Sequence, residues 1–218
     1  MAKKEISKAV LKRLPTYLTY LKAMPDNGQT HISATALASA LQMGEVQVRK
    51  DLAMVSDGGR PKIGYPRGAL IADIEDFLGY GETNNAVLIG AGKLGKALLG
   101  YSGFAEYGLN IVAGFDTDAA LVGKTKSGKS ILPISELSQF CREQKIKIGI
   151  ITVPAEYAQG VCDLLIEAGI AAIWNFAPIH LDVPAEILVQ NENMAASLAM
   201  LSKHLSEHME QHGAKCQE

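Results

Sequence analysis

Gly90, Gly92 and Gly95 stand in the run Gly90-Ala91-Gly92-Lys93-Leu94-Gly95, which is G-x-G-x-x-G. The apolar run Ala86-Val87-Leu88-Ile89 precedes it, and an apolar stretch through Leu98 and Leu99 follows. Between a strand and a helix this pattern is a phosphate cradle. Its first glycine allows a tight turn, its second lets backbone approach a pyrophosphate, and its third permits close helix–strand packing. The helix N-terminus adds amides and partial positive charge. A second strand, predicted over 109–115, leads into Asp116, 21 residues beyond Gly95. A carboxylate there accepts hydrogen bonds from the adenosine ribose and repels a 2′-phosphate, so the expected ligand is NAD(H) rather than NADP. Two further corners, Thr152-Val153-Pro154 and Asn175-Phe176-Ala177-Pro178, end strands predicted over 146–153 and 171–176. Ligands of open α/β sheets sit at the carboxyl ends of strands, so both corners are expected to line the pocket, although each also reads as an ordinary strand-to-loop turn.

A second constellation lies upstream. Ser33 is placed to cap a short helix over 34–41, Met43-Gly44 forms a turn, and 45–55 reads as a second helix carrying Gln47, Arg49 and Lys50. Two short helices around a Gly-containing turn match a helix-turn-helix. Arg and Gln near the start of the second helix suit base edges in the major groove, and Lys50 suits phosphate. The basic, Gly-rich stretch Asp57-Gly58-Gly59-Arg60-Pro61-Lys62-Ile63-Gly64-Tyr65 then reads as a wing, with Arg60 and Lys62 as further DNA-binding residues.

The elements that must hold these groups fit an α/β chain. It has 218 residues, 48% hydrophobic and 20% charged, enough for two small packed domains and against disorder. No apolar run is long enough to cross a bilayer, and the start lacks an apolar signal core, so no membrane association and a cytoplasmic location are expected. Charge is asymmetric: residues 1–70 carry eleven Lys or Arg against five Asp or Glu, and residues 71–218 carry ten against eighteen. A basic first third suggests that one part meets a polyanion. Apolar spacing at Ile6, Val10, Leu14, Leu18 and Leu21 predicts an amphipathic helix. Pro15 predicts that its main part starts there, and Pro25-Asp26-Asn27-Gly28 predicts its end. Predicted domains are a winged-helix DNA-binding domain over 1–80, a doubly wound parallel Rossmann sheet over 81–192 and a C-terminal helix over 193–218. On the last, Met194, Leu198, Leu201, Leu205 and Met209 form a narrow stripe that suggests a dimer seam, packing on its own domain being the alternative. His204, His208 and His212 recur at four-residue spacing and read as a wet face rather than a metal site. Cys141, Cys162 and Cys216 form neither a disulfide framework nor a metal motif.

Together these segments resemble the Rex family of redox-sensing transcriptional repressors. The matches are Lys12-Arg13-Leu14-Pro15-Thr16-Tyr17, Gln47-Val48-Arg49-Lys50-Asp51-Leu52, Gly64-Tyr65, the run 87–95, Phe115-Asp116, Thr152-Val153-Pro154 and Asn175-Phe176-Ala177-Pro178. The resemblance implies a homodimer that binds palindromic, AT-rich operator DNA when free or NAD⁺-bound and releases it when NADH binds. It also implies that Tyr101 lies near the nicotinamide and that the C-terminal helices are exchanged between subunits. Family members often carry an Asp at the start of the last helix, paired with the Arg matching Arg13; here that position is Asn193, which brings no charge. The wing sequence departs as well, so an operator preference different from that of typical members is expected.

Two other classes compete. A small NAD-dependent dehydrogenase would need a substrate domain and an acid–base pair. His180 could be drawn as a general acid, but no chain remains for a substrate domain. A coenzyme A binder would share the glycine loop, but Asp116 argues against a phosphorylated ribose, and the basic helix-turn-helix would have no use.

Overall fold

A computed structural model describes residues 7–25, 28 and 30–213. Ile6, Asp26, Asn27 and Cys216, and with them parts of the expected first helix and its closing turn, lie outside the described residues, as does the side chain of His212. The chain divides after Thr83 into two compact units.

The first unit opens with α1 (Lys8–Ala23), capped by Ser7. The helix does not start at Pro15; it runs through it. Proline removes one intrahelical N–H, but Val10, Leu14, Tyr17, Leu18 and Leu21 bury on both sides of it, and Thr19 Oγ1 donates to the Pro15 carbonyl at 2.9 Å. Tertiary packing therefore carries the helix across a residue that would break it in isolation. Next come β1 (His31–Ile32), α2 (Ala34–Ala40) and α3 (Glu45–Val55), the last burying Val48, Asp51 and Leu52. The expected wing is a tight loop closed by one antiparallel bridge. Arg60 and Gly64 close a tight loop by exchanging hydrogen bonds of 3.0 and 2.9 Å, and Lys62 takes φ +65° inside it. Pro61 can donate no ladder hydrogen bond. Gly64 has φ +88°, and a Cβ there would meet the Ile32 carbonyl oxygen at 2.3 Å, so only glycine fits. Then β2 (Tyr65–Pro66) pairs antiparallel with β1. A helix that the sequence reading passed over, α4 (Arg67–Leu78), buries Leu70 and Ile74 and packs on α1. Arg67 ties the two together, its guanidinium donating to the carbonyls of Leu21 (2.9 Å) and Met24 (2.6 Å) at the end of α1.

The second unit is the α/β sheet. Its strands are β3 (Asn84–Ile89), β4 (Leu109–Asp116), β5 (Gly123–Lys124), β6 (Ser130–Pro133), β7 (Ile148–Ile151), β8 (Ala172–Asn175) and β9 (Leu188–Asn191), in the order β5-β6-β4-β3-β7-β8-β9. All pairs are parallel except β5 with β6, so the doubly wound sheet carries one antiparallel edge strand. Helix α5 (Lys93–Gly100) packs on one face, through Leu98 and Leu99 against Leu88, Ile111 and Ile150. On the other face α6 (Leu137–Glu143) and α7 (Ala155–Glu167) cover Val87, Ile89, Phe115 and Ile151. Strand order reverses across β3 and β7, which is where an open α/β sheet forms its crevice. Cys141 and Cys162 are buried here, and burial pushes both thiols up to about 11, so neither is a nucleophile at neutral pH. Trp174 on β8 lies between Phe104 and Phe176, its indole N–H donating to Glu192 at 2.9 Å. The final helix, α8 (Met194–Gly213), is capped by Asn193, whose Oδ1 accepts from the Ala196 amide at 2.9 Å. Met194, Leu198, Leu201, Leu205 and Met209 are each about 60% exposed. Among the described residues no helix is long and apolar enough to cross a membrane.

Candidate nucleotide site and DNA-facing surface

Gly90 follows β3 with φ +98°, and a Cβ there would press on Val153 at 2.8 Å. Gly95 is more constrained: its Cβ would lie 1.9 Å from the Gly90 carbonyl oxygen. Gly92, at the N-cap of α5, faces open space, with no atom within 4 Å of where a Cβ would stand. That emptiness lies over the first turn of α5, whose amides have no intrahelical acceptor. The loop is clamped from both sides. Asp116 Oδ2 accepts from the Ala91 amide at 2.6 Å, while Oδ1 accepts from the Asp118 amide at 2.9 Å. Thr152 Oγ1 reaches the carbonyls of Ile89 (3.0 Å) and Gly90 (2.8 Å) from the end of β7. The sequence pattern assigned Asp116 and Thr152 to a ligand, and their part in holding the loop was not read.

These groups surround one cavity of about 690 Å³, lined by Gly90, Gly92, Asp116, Thr152–Pro154 and apolar side chains including Leu121, Tyr157 and Leu164. A pocket of this size, mostly apolar with a few convergent polar groups, suits a nucleoside. Lys93 and Leu94 are exposed on the first turn of α5 beside it. The fourth corner does not join in. Asn175 is fully buried, and its amide donates to the carbonyls of Ala177 and Ile179 and to Asn191 Oδ1, while its oxygen accepts from the Ala177 amide. An amide spent on shaping its own turn is not available to a ligand. Phe176 packs on Trp174, and neither it nor Pro178 lines the cavity. Tyr101 lies on a separate depression with Phe104 and Lys129; it is 57% exposed and stacks edge-on with Phe104 at 4.9 Å. His180 is exposed and does not line the cavity either.

In the first unit a concave groove of about 420 Å³ runs between Ser33, Thr35 and Arg49 on one side and Arg60, Lys62 and Tyr65 on the other. Ser33 caps α2, its hydroxyl accepting from the Ala36 amide at 3.0 Å. Arg49 pairs with Glu45 one turn earlier. Lys50, Arg60 and Lys62 are exposed cations with no ion pair among the described residues. Arg13 has a carboxylate partner within its own unit. Its Nε and Nη2 donate to Asp51 Oδ2 (2.7 Å) and Oδ1 (2.9 Å), and Tyr17 donates its hydroxyl to the same carboxylate at 2.8 Å. Burial and the hydrogen bond to Asp51 push the Tyr17 phenol up to about 12. Asp51 itself is 3% exposed, and no spacing rule flagged it because its partners come from another helix.

A helix-turn-helix unit and a dinucleotide-type Rossmann unit on one chain define a ligand-responsive transcriptional regulator. Comparison with known proteins agrees. A family model described as "Putative DNA-binding protein N-terminus" matches residues 5–53, and one described as "CoA binding domain" matches residues 82–179. A redox-sensing transcriptional repressor Rex of Treponema denticola is 43% identical over 202 residues, covering 92% of this chain and 96% of the relative. The Rex of Bacteroides fragilis is 39% identical, covering 93% and 92%. Among solved structures, RSP, a Rex-family repressor, in complex with β-NAD⁺ and operator DNA matches with TM-score 0.87 at 33% identity over 99% of both chains. Its complex with β-NADH matches with TM-score 0.86. The chain belongs to the Rex family of redox-sensing transcriptional repressors.

Proposed function

We propose that this protein is a homodimeric repressor that binds palindromic, AT-rich operator DNA through α3 and the Arg60–Gly64 loop, and lets go when NADH fills the cavity beside Gly92. The observation that carries the reading is that cavity. Empty space over Gly92, unpaired first-turn amides, a carboxylate at the end of β4 and apolar walls fit an adenine dinucleotide without a 2′-phosphate. Gly90, Gly92 and the amides of Lys93, Leu94 and Gly95 would hold the pyrophosphate. The Asp116 oxygens each keep a lone pair for a ribose hydroxyl, and Val153, Pro154 and Tyr157 would cover the base. Ala91 contributes differently, since its amide already serves Asp116. A bound nicotinamide dinucleotide supplies its redox state as a signal. Thr152 keeps its hydroxyl on the loop carbonyls, so it holds shape rather than moving a proton. The redox-sensing repressors to which this chain is similar support the reading of a sensor rather than a dehydrogenase. On the DNA side Ser33, Arg49, Lys50, Arg60 and Lys62 would contact the duplex, and the apolar stripe of α8 would be covered by the second subunit, with Tyr101 near the nicotinamide in the assembled dimer. The solved complexes of RSP with β-NAD⁺ and operator DNA and with β-NADH support this assignment.

A switch requires that NADH bind the DNA-incompetent state better than the competent one. A tenfold change in operator affinity corresponds to about 1.4 kcal/mol of coupling. The test is a titration of labelled palindromic AT-rich DNA at fixed salt, alone and with NAD⁺, NADH or coenzyme A, because phosphate contacts make affinity salt-dependent. Release by NADH alone is expected. Release by coenzyme A instead would favour the ligand suggested by the "CoA binding domain" match, and no response to any nucleotide would overturn the sensor reading.

A further inference from the structure

We propose that Val46 reads the C5 methyl group of thymine, so that part of the preference for AT-rich DNA comes from an apolar contact rather than a hydrogen bond. This rests on α3 being the recognition helix. Val48, Asp51 and Leu52 turn one side of α3 to the core of the first unit. At 3.6 residues per turn, the direction opposite these three passes through Val46. Arg49 and Lys50 stand on either side of it and are exposed, and so are Gln47 and, two turns along the same line, Ala53. Val46 is 63% exposed, whereas Val48, the same residue type two positions on, is fully buried. A lone exposed valine needs no explanation by itself. Val46 differs because it occupies the middle of a cationic face. Arg49 shares its groove with Arg60 and Lys62, and Lys50, Arg60 and Lys62 have no ion pair among the described residues. That charge suits a polyanion, and the cations would bring Val46 against it.

Val46 also lies in the first turn of α3, just after the N-cap Gly44, at the end a recognition helix presents to base edges. Valine has no polar atom and cannot match a base by hydrogen bonding. In the major groove thymine alone offers a methyl group. Cytosine lacks that methyl, and purine edges present donors and acceptors whose water the valine would strip without replacing it. A β-branched side chain is nearly fixed at χ1 in a helix, so the contact costs little ordering entropy. Val46 is thus a specificity-determining residue that acts through shape.

The experiment uses the full-length protein and a palindromic AT-rich operator. Each thymine of one half-site is replaced in turn by deoxyuridine, which deletes the methyl and keeps the Watson–Crick pairing. The wild type is expected to lose about three- to fivefold in affinity at one thymine, the effect of taking one methyl out of an apolar contact. Val46→Ser changes an exposed site, and an unaltered melting temperature checks that it folds. It should bind the thymine operator as weakly as the wild type binds the uracil one, with less than about twofold between the two operators. A valine exposed for any other reason would leave both proteins with the same uracil profile. A wild type indifferent to uracil at every position overturns the proposal, as does a V46S profile that keeps the full uracil loss at the same thymine. A wild type that binds no operator at all overturns the repressor reading, and this inference falls with it.

Discussion

The helix-turn-helix unit displays its chemistry on side chains that other side chains hold, whereas the nucleotide unit displays it on backbone that side chains clamp from behind. Arg13, Tyr17 and Asp51 fix the recognition helix, and Glu45 holds Arg49. In the second unit Asp116 and Thr152 fix a loop whose working parts are amides and empty space. The first arrangement changes what is read whenever a side chain changes. The second leaves the side chains of Lys93 and Leu94 exposed but has no room for an added carbon at Gly90 or Gly95.

The largest effect that would sharpen this contrast comes from Gly95→Ala, which forces a Cβ against the Gly90 carbonyl. NADH binding, followed by fluorescence titration, should fall below detection while operator affinity survives. Gly92→Val should do the same with an unaltered melting temperature, because its side chain enters open space; a variant that still responds to NADH breaks the assignment. Next is Asp51→Asn, which leaves Arg13 without its buried carboxylate and should destabilise the first unit by about 3 kcal/mol in urea denaturation, with NADH affinity unchanged. Arg49→Ala should weaken operator binding by about 1–3 kcal/mol, again without touching NADH. Asp116→Ala should cost about tenfold in NADH affinity, about 1.4 kcal/mol, and narrow the margin over NADPH. Tyr17→Phe is the smallest, about 1 kcal/mol for one hydrogen bond. The Tyr17 phenol sits at about 12, above its ordinary 10.0, so its stabilisation is full below pH 10 and fades as pH rises from 10 to 12. The phenylalanine variant should lack that alkaline loss when unfolding midpoints are compared across this range.

The same contrast explains what the sequence made legible. The glycine loop, Asp116 and Thr152–Pro154 were readable because their spacing along the chain is set by a strand, a turn and a helix. Ser33 as a cap and Glu45–Val55 as a helix were readable for the same local reason. The Asp51 network was not, because its members come together only when α1 packs on α3. Asn175 shared its place at a strand end with residues that line the cavity, and only its hydrogen bonds show that it faces inward. Helix α4 has a legible signal in the spacing of Leu70 and Ile74 and in Gly79, which ends it in the left-handed conformation. Pro15 misled because a propensity was weighed without the core that overrides it.

Trp174 is the only tryptophan of the chain, wedged between two phenylalanine rings and tethered to Glu192. Its strand neighbours β7, whose end carries Thr152. All indole emission therefore originates from one fixed dipole inside the nucleotide unit. Because reduced nicotinamide absorbs where tryptophan emits, the protein comes with its own optical donor. Occupancy of the cavity becomes readable as quenching and sensitised emission, with no dye attached and no residue replaced.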